Sequence, residues 1–153
     1  MTEQNPTPNQ NDKILAALSH ISALLPLIGL VVPIIIWATQ KEKSRYVSVQ
    51  ALQAVAYQLI MIFAYFIAMG CYMLSFFSTF LTLPFAGENP DPTATPLFMA
   101  GFIIPFLIFG VIFLGGGMFV LYGIIGAVFT IQGKDFRYIV IGNRVAKFLE
   151  KEN

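Results

Sequence analysis

Apolar residues gather in three long blocks, separated by stretches that are short and charged or rich in proline. The first block, residues 14–38, carries no Lys, Arg, Asp or Glu. As a helix it would run roughly 37 Å, enough to cross a hydrocarbon core of about 30 Å. Pro26, Gly29 and Pro33 interrupt it, and each proline removes a backbone donor. The pattern predicts a proline-kinked span. The alternative is a re-entrant pair of half-helices, tolerated only where protein or water covers the freed backbone groups. Asp12 is placed to cap the start, and Trp37 falls near an interface, where an indole ring prefers to sit. Ahead of the block, residues 1–13 are polar and rich in Asn and Pro. They lack the basic region and cleavage site of a removable signal peptide and read as a disordered tail.

The second block, residues 46–83, exceeds one perpendicular span and is expected to tilt or to project past the lipid. Tyr46, Gln50, Gln53, Tyr57, Ala64, Ala68, Ser75, Thr79 and Thr82 recur at helical intervals and form a polar or small stripe. Ile60, Ile62, Phe63, Phe66, Ile67, Phe77 and Phe80 lie off it. In lipid, the small and polar face meets other helices and the bulky face meets acyl chains.

Residues 84–96 hold Pro84, Pro90, Pro92 and Pro96 with Glu88 and Asp91 and no base, which predicts a loop. The third block, 97–131, contains Pro105 and the triplet Gly115, Gly116, Gly117, so a bend is expected. Gly116, Gly123, Ala127 and Thr130 share a face, a second small-residue stripe fit to pack against the second block. The tail is amphipathic. Arg137, Arg144, Lys147 and Lys151 share one helical face, with Phe136, Ile141, Val145, Phe148 and Leu149 largely opposite. That pattern predicts a basic helix on the membrane surface over about 136–151.

Composition agrees with a bilayer setting. The chain is 57% hydrophobic and 11% charged, with a mean hydropathy of +0.74. Its charge fraction is about half that of an ordinary soluble protein. A soluble domain of 153 residues has no core large enough for so much apolar surface. The expected fold class is an all-α integral membrane protein: one helical membrane domain over 14–153, with three transmembrane helices and the surface helix. A net charge of +1 gives no case for nucleic acid. Cys71 is the sole cysteine, which excludes a disulfide framework and a cysteine-based metal site.

The bases set orientation. Lys41, Lys43 and Arg45 lie between the first two blocks, more follow the third, and none lies in the proline-rich loop. The positive-inside rule puts the 41–45 turn and the C-terminus in the cytoplasm and loop 84–96 outside. Three spans leave the N-terminus outside; a re-entrant first block brings it inside. The same cations, with Arg137, Arg144 and Lys147, are candidates for contact with anionic headgroups.

Two stretches carry a family resemblance. One reads Ser44, Arg45, Tyr46, Val47, followed by Gln53 and Ala54; the other closes the last block with Gly133, Lys134, Phe136 and Tyr138. With the proline-broken start, they make the chain resemble small bacterial and archaeal membrane proteins of unknown function. Those are distantly similar to the Tic-type import subunit of the chloroplast inner envelope. The resemblance covers about residues 18–146. It implies a prokaryotic inner (plasma) membrane and a possible link to protein translocation or insertion.

No residue pattern points to catalysis: there is no phosphate-binding loop, no metal-ligand spacing and no nucleophile with a base, and no cofactor is expected. Gln50, Gln53 and Gln58 are candidates to line a polar passage or, more simply, to hydrogen-bond between helices. His20 has no acid within any span and reads as a histidine near an interface. The expected function is a non-enzymatic subunit or interaction partner in a membrane assembly, through self-association or other membrane proteins in the lipid bilayer. The alternative is an oligomeric channel or small-solute transporter.

Overall fold

A computed structural model describes residues 7–25, 28–82, 94–139 and 141–151. Every regular element among them is helical. Helix α1 spans Gln10–Ile21, α2 Val31–Gln40, α3 Arg45–Thr82, α4 Ala94–Ile131 and α5 Gly142–Lys151, with 3-10 turns at Ser22–Leu24 and Ile28–Leu30. Two helices are long and apolar enough to cross a membrane: Arg45–Leu81 with mean hydropathy 2.1, and Met99–Ile131 with 2.4. A soluble core helix can be as apolar, but it hides its side chains. Here the most apolar stretch of the first is 0% buried and that of the second 6%, so lipid is the surrounding this surface requires.

The described chain falls into two compact units, Met1–Ile62 with Phe119–Asn153, and Phe63–Met118. In the first unit the 14–38 block does not make a single traverse. Its two helices pack on each other and its two 3-10 turns meet, forming a hairpin. The return is so tight that a Cβ at Gly29 would land on the Ser22 carbonyl oxygen, so only glycine fits. Pro33 sits in the first turn of α2, where no intrahelical donor is lost. The expected kinked span is therefore replaced by a folded-back pair of helices.

The start of α1 also differs from expectation. Asn9 rather than Asp12 is the N-cap, and the helix begins at Gln10, inside the stretch read as a disordered tail. Asn9 Oδ1 accepts from the Asp12 N–H at 2.8 Å, and the Asp12 carboxylate accepts from the Asn9 N–H at 3.3 Å. This reciprocal box satisfies two otherwise orphaned donors. Residues 1–6 lie outside the described residues.

In the second unit, α4 stays helical through Pro105 and the 115–117 glycines. Proline has no N–H, so the carbonyl four residues earlier, Gly101, loses its backbone donor. The Thr79 hydroxyl donates to that oxygen at 2.6 Å. The carbonyl freed by Pro105 is thereby answered by a side chain from the other long helix. Most of the predicted 84–96 loop lies outside the described residues, and α4 already begins at Ala94.

Back in the first unit, α4 ends on Gly133 at φ 76°. The Gly133 N–H bonds the Thr130 carbonyl at 2.9 Å and the Lys134 N–H bonds the Phe129 carbonyl at 3.1 Å, the double bond of a Schellman cap. Beyond this cap the chain leaves the helix. Residues 134–139 form a strap, and only Gly142–Lys151 is helical, against the surface helix expected from about 136. Alternation governs the strap: Phe136 and Tyr138 are buried, while Asp135, Arg137 and Ile139 are exposed. Phe136, Tyr138, Ile141 and Val145 then pack against Val49, Leu52, Ala56 and Tyr57 of α3. Ile141 and Val145 thus rest on a matching face of α3.

Two measurements check this fold. Thr79→Val should destabilise the protein by roughly 0.6–1.7 kcal/mol; in a Pro105→Ala background, where Gly101 regains its backbone donor, the same change should cost much less. Gly29→Ala should cost about 1–3 kcal/mol of thermal stability in detergent, since a backbone oxygen occupies the space.

Candidate functional site: a buried polar lock

The first unit is built around His20, whose side chain is 0% exposed. It comes from the last turn of α1, and α4 makes room for it by lacking side chains. A Cβ at Gly126 would stand 3.2 Å from His20 Cγ and 2.9 Å from Phe136 Cε1, and one at Gly123 would stand 3.1 Å from Ala23 Cβ. Small residues one turn apart on α4 thus let α1 and the strap close in together.

Both ring nitrogens are used. Nδ1 lies 2.9 Å from the Tyr138 hydroxyl and Nε2 lies 3.0 Å from Gln50 Oε1. Gln50 Nε2 donates to Asp135 Oδ1 at 2.8 Å, which fixes the amide with its oxygen toward the ring. His20 Nε2 must therefore carry the proton, and Nδ1 must accept from Tyr138. Arg137 Nε donates to the other Asp135 oxygen at 3.0 Å, carrying the chain of bonds to the surface. Burial holds the imidazole down to about 4 from its ordinary 6.5, with the Gln50 bond opposing part of that shift. Burial also pushes the Tyr138 phenol upward, with Tyr57 and Tyr122 adding to the effect.

The strap is held along its length. Gln53 Oε1 accepts the Tyr138 N–H at 3.3 Å, and the Tyr122 hydroxyl accepts the Ile139 N–H at 3.3 Å. The Tyr57 ring lies between two others, stacked on Tyr138 at 3.9 Å and on Phe119 at 4.2 Å. Gln58 Nε2 donates to Ser22 Oγ at 3.1 Å and so ties α3 to the hairpin turn. Gln53 Nε2 and Trp37 Nε1 are buried with no hydrogen-bond partner among the described residues. Chemically this is a lock and not a relay, since an amide at Gln50 does not pass a proton on. No group in it is poised as a nucleophile.

The candidate stripe is divided by this geometry. Tyr46 donates from its hydroxyl to the carbonyls of Thr130 at 3.2 Å and Lys134 at 3.0 Å, joining α3 to the capped end of α4. Gln50, Gln53 and Tyr57 belong to the lock. In the second unit Ala64 is exposed and Ala68 half-buried, while nothing stands within 4 Å of the space a Cβ at Gly116 would fill. Gly123 and Ala127 are buried, but Gly123 faces Ala23 and the His20 carbonyl of the hairpin, not the second block. The hairpin, misread as a separate traverse, occupies that groove. Lys41, Lys43, Arg45, Arg137, Arg144 and Lys147 are all exposed, with Arg137 on the strap and not on α5, and the Lys41 ammonium 5.9 Å over the Trp37 ring. Sequence reasoning left out Asp135, Tyr122 and Gly126, and set His20 aside for want of a nearby acid.

Residues 11–145 match the magnetosome magnetite crystal formation protein family. The chain belongs to this family. No curated protein and no solved structure matches it. The matched stretch contains every member of the lock, from His20 through Gln50 to Asp135 and Tyr138. Membership of the magnetosome family agrees with a small prokaryotic membrane protein. It offers nothing in favour of the resemblance to a chloroplast import subunit.

Gln50→Leu should strand the buried His20 N–H, and Tyr138→Phe should strand Nδ1; each should lower stability by about 1–3 kcal/mol. Ile139→Ser, on the exposed side of the same strap, should change the denaturation midpoint little.

Proposed function

We propose that this member of the magnetosome magnetite crystal formation family is a non-enzymatic membrane component that works by assembling in the bilayer, with copies of itself or with other membrane proteins. The observation that carries this reading is the bareness of the two long helices. Phe63, Leu74, Phe77, Leu81, Phe106, Val111, Phe113 and Met118 are each more than 60% exposed, in the unit without the polar lock. Among the described residues no three His, Cys, Asp or Glu come together as a metal site. The glutamines that would have lined a polar passage are engaged inside the fold. A role in protein translocation draws no support from the family.

The same reading favours two spans with an N-terminal hairpin that enters and leaves on one side. Asn9, Asn11 and Asp12 share a surface cavity with Gln40, Lys43 and Ser44, and the Lys13 side chain stands beside Gly133 at the end of α4. The N-terminus, the basic turn and the start of the strap are therefore neighbours. Their cations favour the cytoplasmic side for all three.

Reporter tags at the two termini should both be shielded in intact cells and accessible after permeabilisation; an N-terminal tag readable from outside would restore the three-span arrangement. Photo-crosslinking probes at Phe77 and Phe113 should repeatedly capture the chain's own copies or one other membrane protein. Lipid adducts alone at both positions would overturn the assembly reading.

A further inference from the structure

His20 is the chain's one histidine, and it joins elements that are far apart in sequence. Tyr138 lies 118 residues away and Gln50 lies 30. Its ring is the point where α1, α3 and the strap meet, and it satisfies them only while neutral. We propose that His20 is an acid-released latch: protonation of its ring frees the 134–139 strap, and α5 behind it, from the helices they cover.

The geometry supplies the coupling. In the neutral Nε2–H form, Nδ1 is the acceptor of the Tyr138 hydroxyl. Protonated, both nitrogens donate, so the Tyr138 hydroxyl loses its acceptor and has to turn its hydrogen elsewhere in a crowded site. The new charge gains no counter-ion on the ring. From α1 the ionisable groups are Asp12 and Lys13, at its first turn. From α3 they are Tyr46 and Tyr57; from α4, Tyr122; from the strap, Lys134, Asp135, Arg137 and Tyr138. The acid closest to the ring along the hydrogen-bond chain is Asp135, and it is held on the far side of the Gln50 amide and shared with Arg137. Gly126 and the Phe136 ring, 5.5 Å away centre to centre and edge-on, pack against the imidazole, which has no exposed surface.

The direction of the pH dependence comes from burial. The latched ring resists protonation down to about 4, whereas a released ring takes its proton near 6.5. Acid therefore favours the released form. The latch is at full strength above about pH 6.5 and weakens as the pH falls toward 4. Release would uncover Val49, Leu52, Ala56 and Tyr57 on α3, the residues the strap and α5 now shield.

The test uses the full chain in lipid nanodiscs, with the histidine labelled with nitrogen-15 and amide hydrogen exchange measured between about pH 7.5 and 3.5. At pH 7.5 the ring should be in the neutral Nε2–H form, and it should take its proton well below pH 6.5. Exchange over residues 134–147, corrected for the intrinsic pH dependence, should rise on the order of tenfold or more with the same midpoint. A midpoint at 6.5, the opposite tautomer, or a protonated ring with unchanged exchange would each overturn the proposal. His20→Gln should abolish the acid-induced rise; an undiminished rise would overturn the proposal. If that variant does not fold, the agreement or disagreement of the two midpoints in the unaltered chain decides.

Discussion

A histidine shut away from water has to find a partner for each ring nitrogen, and here that requirement draws together most of the first unit. α1 brings the ring, α3 brings Gln50, and the strap brings Tyr138 and Asp135. α4 contributes by absence, since the missing Cβ atoms of Gly123 and Gly126 are what let the other parts reach one another. Near a bilayer an unsatisfied donor costs more than the bond itself is worth, so such a network specifies an arrangement more than it adds net stability. The aromatic stack of Phe119, Tyr57 and Tyr138 closes over the same point and supplies the apolar contact area that the polar bonds lack.

The second unit obeys a different logic. Its side chains are mostly open, and Pro105 makes necessary a polar bond between its helices, Thr79 to Gly101. Specific internal packing and the hydrogen-bonded lock belong to the first unit, while Phe, Leu and Met side chains of the second lie open. Open apolar side chains of this kind suit contact with lipid or with neighbouring membrane proteins.

Much of this was legible in the sequence. The two long helices begin and end within a few residues of where the apolar blocks do, because unbroken hydropathy over more than a bilayer's thickness admits few alternatives. Of the residues marked by their spacing, Gln50 and Gln53 are buried while Tyr46 and Tyr57 are half-buried. The hairpin was less legible, since Pro26, Gly29 and Pro33 allow either a kink or a reversal, and only the contact of Gly29 with Ser22 decides. The strap was misread because a run of Phe, Tyr, Ile and Arg residues fits a helical face loosely and a two-residue alternation well, and the helical period was applied through Gly133 and beyond. His20 was passed over for a related reason. Its partners are a tyrosine and an amide, which no charge-pairing argument would nominate.

The position of Tyr138 in the chain bears on the order in which the protein is made. The imidazole and Gln50 are synthesised well before the Tyr138 hydroxyl that completes the His20 site, which follows the ring by 118 residues. Until the strap has been made, the nascent chain thus lacks one partner of the ring and the cover over one face of α3. The His20 site can therefore close only after both long helices have been made.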